Sequence, residues 1–144
     1  MALDALPAEF IGTLAANTNS AERPMVAGGP FGTKVVATVT GGSFVGPKIN
    51  AATIEGVAGG DWLTILEGGS FALDVRFSLR TDDGADIYVT YTGFGTRNED
   101  GGASIRTAPR FETGDERYAW LNNLFTVAVG KTTPDGVEYE IYAV

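Results

Sequence analysis

Residues Phe71–Phe94 read FALDVRFSLRTDDGADIYVTYTGF. Phe71, Leu73, Val75, Phe77 and Leu79 alternate with Ala72, Asp74, Arg76, Ser78 and Arg80, the period-two pattern of a strand buried on one face. Ile87, Val89 and Tyr91 alternate with Asp86, Tyr88, Thr90 and Thr92 in the same way. Between the two runs, Thr81-Asp82-Asp83-Gly84 forms a type I turn in which Gly84 takes a positive φ. This connection sets Leu79 opposite Ile87, Phe77 opposite Val89 and Val75 opposite Tyr91. The other face then carries Arg80 opposite Asp86, Ser78 opposite Tyr88, Arg76 opposite Thr90 and Asp74 opposite Thr92. A slip of one residue would set apolar side chains beside charged ones, so a half-buried sheet rejects it.

The remaining chain adds strands around this hairpin. Met1–Pro7 reads as a frayed leader, and Glu9–Ala16 as a first strand. Asn17–Gly32, rich in Asn, Ser, Gly and Pro, reads as a long loop. Lys34–Thr40 alternates, Gly41-Gly42 breaks the run and Ser43–Val45 resumes it. Ile49–Val57 and Trp62–Leu66 are further strands. Ala103–Glu112 is another, with Pro109 marking an edge or a bulge. Gly114–Asn123 holds a helical turn that starts near Asp115. Leu124–Val129 and Val137–Val144 close the chain as a hairpin. The expectation is one all-β domain over residues 1–144: an antiparallel barrel of about nine strands with one short helical turn. A sandwich is the alternative.

Composition narrows the chemistry. The 144 residues are enough for one domain with a core, and 20 glycines suit many tight turns. The chain has no cysteine and no histidine, which removes thiol catalysis, disulfides, histidine bases and most zinc, copper and non-haem iron sites. Neither a metal nor a cofactor signature is visible: Gly28-Gly29 and Gly41-Gly42 are not followed by the residues of a phosphate loop, and Asn98–Gly102 lacks the ligand alternation of a calcium loop. A net charge of −8 argues against nucleic acid and anionic membrane surfaces as partners. No apolar run is long enough for a membrane span and no secretory signal is visible, so a cytoplasmic location is expected.

Five segments occur in one order: TGGSFVGP (Thr40–Pro47), GGDW (Gly59–Trp62), LDVRFSLRTDDGADIYV (Leu73–Val89), IRTAPRFETGDERYAWLN (Ile105–Asn122) and VEYEIYAV (Val137–Val144). Together they resemble the small β-barrel family known as domain of unknown function three-two-three-seven, over about Phe10–Val144. The resemblance implies a barrel like the lipocalin-type calycins with a small-molecule cavity. It carries little mechanism. The chain departs from the family at Asn123, where a basic residue is expected, and at Phe77, where tyrosine is usual.

The candidate chemistry lies in these segments. Asp61 beside Trp62 is either a turn cap or a general acid whose pKa apolar neighbours raise. Asp74, Arg76 and Tyr88 share a strand face, and form either a solvated ion-pair surface or a cluster that orients a carbonyl, with Tyr88 as proton donor. Arg106, Arg110 and Glu112 share a face on which Arg106 could clamp an anion. Trp120 and Asn122 sit in the helical turn, as a barrel plug or as the closure of a pocket mouth. The leading expectation is a barrel that binds a cyclic or aromatic organic molecule and performs acid–base chemistry on it (isomerisation, hydration, elimination or cyclisation). Asp61, Tyr88 and Glu112 are the expected proton carriers, and Trp62, Asp74, Arg76, Arg106, Trp120 and Asn122 the expected substrate contacts. The alternatives are a non-catalytic carrier or sensor and a structural module with a filled barrel. Period-two alternation cannot separate a hollow barrel from a filled one. A homo-oligomer is compatible with the pattern but not required by it.

Overall fold

A computed structural model describes residues 1–19 and 22–144. Twelve strands follow one another among them: β1 (Glu9–Asn17), β2 (Met25–Gly29), β3 (Gly32–Thr38), β4 (Gly41–Gly46), β5 (Ile49–Thr53), β6 (Gly60–Ile65), β7 (Ser70–Thr81), β8 (Asp86–Arg97), β9 (Ala103–Thr107), β10 (Arg110–Glu112), β11 (Thr126–Thr132) and β12 (Gly136–Ala143). The paired strands run antiparallel. They close a ring in the order β1, β4, β5, β7, β8, β9, β11, β12 and back to β1. Strand β6 also pairs with β7, and β3 and β2 extend the sheet beyond it. The architecture is therefore all-β. Among the described residues no helix is long and apolar enough to cross a membrane.

The central hairpin has the register its sequence dictates. Leu79 pairs with Ile87, Phe77 with Val89, Val75 with Tyr91, and Arg76 with Thr90. Gly84 sits at φ 94° in the turn, and the Thr81 N–H donates to the Ala85 carbonyl at 2.9 Å.

Twelve strands stand where about nine are expected, for three local reasons. The interrupted run Lys34–Val45 is two strands, β3 and β4, with different neighbours: β3 pairs with β6 and β4 with β1. The chain turns from one to the other at Val39 and Thr40. There the Val39 N–H donates to the Gly59 carbonyl at 3.0 Å, and the Thr40 N–H to the Asn17 carbonyl at 2.8 Å. Gly42 is required just beyond: its φ is 141°, and a Cβ would lie 2.0 Å from the Ala15 carbonyl oxygen. The Ala103–Glu112 run is likewise divided into β9 and β10, at Ala108-Pro109, where proline cannot donate to the ladder.

The third reason is the main departure from the expected organisation. Part of the Asn17–Gly32 segment is strand β2, whose Met25 and Val26 pair with Val35 and Lys34 of β3. This strand is exposed on both faces over most of its length, so it shows no alternation in the sequence. Ser20 and Ala21, which belong to the expected loop, lie outside the described residues. The expected helical turn is a 3₁₀ turn at Glu116–Leu121, and the Asp115 carboxylate accepts the Arg117 N–H as its cap. A second, shorter 3₁₀ turn spans Glu67–Gly69.

The two ends of the barrel differ. At one end Phe44, Phe77, Phe111 and Leu121 are fully buried, and Phe44 stacks on Phe111 with centroids 5.0 Å apart. The Glu116–Leu121 turn covers this end, with the Tyr118 hydroxyl donating to Asp83 Oδ1 at 2.7 Å. Towards the other end the β3 and β6 walls border empty space.

Candidate active site

The open half of the barrel encloses a cavity of about 380 Å³. Its walls are mainly apolar, and Val35, Ala37, Leu63, Leu73, Val75 and Ile105 line them. Asp61, Tyr91 and Tyr139 bring polar atoms in among these apolar side chains. Their placement follows from register. Asp61 on β6 pairs with Val75 on β7, and Val75 pairs with Tyr91 on β8. The three residues therefore form one inward-facing row across adjacent strands. Tyr139 on β12 meets Tyr91 edge to face, with ring centroids 5.3 Å apart. It packs over Gly130, where a Cβ would lie 2.3 Å from the tyrosine ring.

Burial sets the acid of this row apart from an ordinary surface carboxylate. Burial pushes the Asp61 carboxyl from 3.8 up to about 6; the N–H of Asp74, donating to Asp61 Oδ1 at 3.1 Å, opposes the rise, and the Asp74 charge adds to it. Tyr91 and Tyr139 are both pushed upward, chiefly by burial, so both hydroxyls stay protonated at neutral pH. The Tyr139 hydroxyl is buried and has no hydrogen-bond partner. The Tyr91 hydroxyl is near enough to influence its ionisation, but the pair does not reach hydrogen-bonding geometry. Arg23, Arg97 and Asp135 stand at the exposed mouth. Among the described residues no group of three or more carboxylates comes together to hold a metal ion.

Ionisation of Asp61 carries a stability cost with a definite sign. Its folded pKa lies above the unfolded value, so the cost is absent below about pH 3.8, grows as pH rises to about 6, and is constant above that. Two pKa units correspond to about 2–3 kcal/mol. The variant Asp61→Asn keeps an oxygen for the Asp74 N–H and cannot ionise. It should exceed wild type in stability by about that amount at pH 8 and by little at pH 3.5. Urea unfolding at the two pH values reads this directly; an unchanged difference between them would contradict the assignment.

The other expected site residues lie elsewhere, most of them because alternation carries them to the outside of a closed barrel. Trp62 points outward, 43% exposed, with the Arg76 guanidinium 5.0 Å from its ring. Arg76 also pairs with Asp74 at 3.5 Å on the outer face. Tyr88 is on the outer face as well, 42% exposed. Glu112 is exposed on β10, with Arg110 3.9 Å away. Arg106 is exposed and donates to the Ile105 carbonyl. Asn122 accepts the Thr113 N–H and donates to the Thr113 carbonyl, both at 2.9 Å, and so ties the 3₁₀ turn to the chain after β10. Trp120 lies under Lys48 beside a small groove near β1, away from the main cavity. Of the expected site residues only Asp61 lines the barrel cavity; Tyr88 and Glu112, paired across β8 and β10, border a separate groove on the outer face. The sequence reading does not mark Tyr91, Tyr139, Arg97 or Arg23. For the two tyrosines a signal is present: each falls on the apolar face of its strand, which carries a hydroxyl into the interior.

A family model described as protein of unknown function (DUF3237) matches residues 7–144. The chain is 33% identical over 91 residues to the hydroalkoxylation enzyme phnH of Penicillium herquei, a match covering 63% of this chain and 53% of that protein. The chain thus spans about half the length of that relative. It is 30% identical over 131 residues to a UPF0311 protein of Rhodopseudomonas palustris, covering 81% and 84% of the two chains. In fold it is similar to a β-barrel-like protein of Acinetobacter baumannii, with a TM-score of 0.83, 22% identity and coverage of 97% and 98%.

Proposed function

We propose that this chain, which belongs to the DUF3237 family of proteins of unknown function, is an acid–base enzyme that closes a ring by adding a hydroxyl across a carbon–carbon double bond, or opens it by the reverse elimination. The observation that carries the reading is the row Asp61–Val75–Tyr91 with the unpartnered Tyr139 hydroxyl beside it, in a largely apolar cavity. The relative named as a hydroalkoxylation enzyme supports the same class of chemistry.

The atoms balance without a further reactant. Asp61 as carboxylate takes the proton of a substrate hydroxyl. The oxygen attacks the β-carbon of a double bond conjugated to a carbonyl, and the π electrons move to the carbonyl oxygen. Tyr139 donates a hydrogen bond to that developing oxyanion. The α-carbon then takes the proton back from Asp61, and the product is an isomer of the substrate. A carboxyl titrating near pH 6 is suited to both transfers at neutral pH. The apolar wall excludes water that would compete as nucleophile.

The test is the ring closure of 2′-hydroxychalcone to flavanone, followed against the uncatalysed rate, with Asp61→Asn beside wild type. No acceleration by wild type, or acceleration retained within twofold in the variant, would overturn the reading.

A further inference from the structure

The mouth of the cavity has a different chemistry from its interior. Arg97 lies on β8, six residues beyond Tyr91 and on the same inward-facing alternation. At ~3.4 Å per residue the two are ~20 Å apart along the strand. An arginine side chain reaches back over part of that distance, which leaves space for a ring system between the guanidinium and the tyrosine hydroxyls. The guanidinium therefore meets a part of the ligand remote from the reacting atoms. Among the described residues the Arg97 side chain makes no ion pair or hydrogen bond. Arg23 shares the mouth and donates to the Thr18 carbonyl and hydroxyl. Asp135 is the acid in the same rim. Two arginines thus share one opening in a chain of net charge −8.

We propose that the substrate is an amphiphilic anion, a cyclic or aromatic body that enters with an oxygen-bearing end facing Tyr139 and leaves a carboxylate at the mouth against Arg97. This rests on the same cavity as the reading above and adds the substrate class. Two donors without a protein partner among the described residues define the two ends: the buried Tyr139 hydroxyl and the exposed Arg97 guanidinium. The apolar wall between them takes the ring system. A guanidinium matches a carboxylate with two parallel hydrogen bonds, and its exposed position makes the contact sensitive to salt. Arg23 reinforces the field but is already engaged with Thr18.

The experiment compares 6-hydroxy-2-naphthoate with 6-hydroxy-2-naphthamide by isothermal titration, which needs no turnover. Wild type should bind the acid up to ~5-fold more tightly than the amide, as expected for an exposed ion pair, and the preference should shrink in concentrated salt. Arg97→Ala should abolish the preference, and Arg97→Lys should retain part of it. Tyr139→Phe should weaken both ligands by a similar factor and leave the preference intact. Equal binding of acid and amide by wild type, an acid preference that survives Arg97→Ala, or no binding of either ligand at millimolar concentration would overturn the proposal. Failure here with successful ring closure of the uncharged chalcone would leave the acid–base reading standing. Acid-selective binding without any ring closure would sink that reading and keep the anion site.

Discussion

Asp61→Asn should lower kcat/KM for ring closure by ~10²–10⁴-fold, the usual range for removing a general acid–base group. The change is close to isosteric, so the cavity shape and the hydrogen bond from the Asp74 N–H are retained. What is lost is the ability to take and return a proton. Stability serves as the control: a variant that is inactive but more stable than wild type at pH 8 has lost chemistry and not fold. A loss of activity accompanied by a lower urea midpoint would instead point to damage, and would remove the support this variant gives to the assignment.

Phe44→Ala should destabilise the protein by ~3–5 kcal/mol, the range for large aromatic truncations in a packed core. Phe44 is fully buried and stacked on Phe111, and Gly12 makes room for its ring: a Cβ there would lie 2.5 Å from it. The packed end cannot collapse without moving the 3₁₀ turn that covers it. Leu73 is also buried, but it lines the cavity, so truncating it enlarges a space that already exists. Leu73→Ala should therefore cost about 2 kcal/mol, the low end of its range. Urea unfolding of both variants checks this contrast; equal costs would contradict a barrel filled at one end and hollow at the other.

The hairpin and its register are legible in the sequence because a half-buried strand pair fixes its own alternation and the turn sets the offset. Pro109 marks the interruption of the Ala103–Glu112 run for an equally local reason, since it cannot donate to a ladder. Strand β2 is not legible because both its faces meet solvent. The candidate site is only partly legible, for a related reason. Alternation separates two faces, and the charged face of Asp74, Arg76 and Tyr88 looks like the place for chemistry. In a closed barrel that face is the outside. Two of the polar residues that line the cavity sit on the apolar face of their strands: Tyr91 in line with Ile87 and Val89, and Tyr139 in line with Ile141. Asp61 stands out in the sequence for its apolar surroundings, but their source differs. Trp62 turns away from the cavity, and the desolvation comes from the barrel interior around Val75 and Leu63. Whether the interior is hollow depends on packing between strands distant in sequence, which no local pattern records.

The most direct measurement is a carbon-detected NMR titration of the Asp61 carboxyl, with its resonance assigned by comparison with Asp61→Asn. The account expects a midpoint near pH 6. A midpoint near the ordinary aspartate value of about 3.9 would mean that the carboxyl is solvated, and would contradict a buried acid poised for proton transfer.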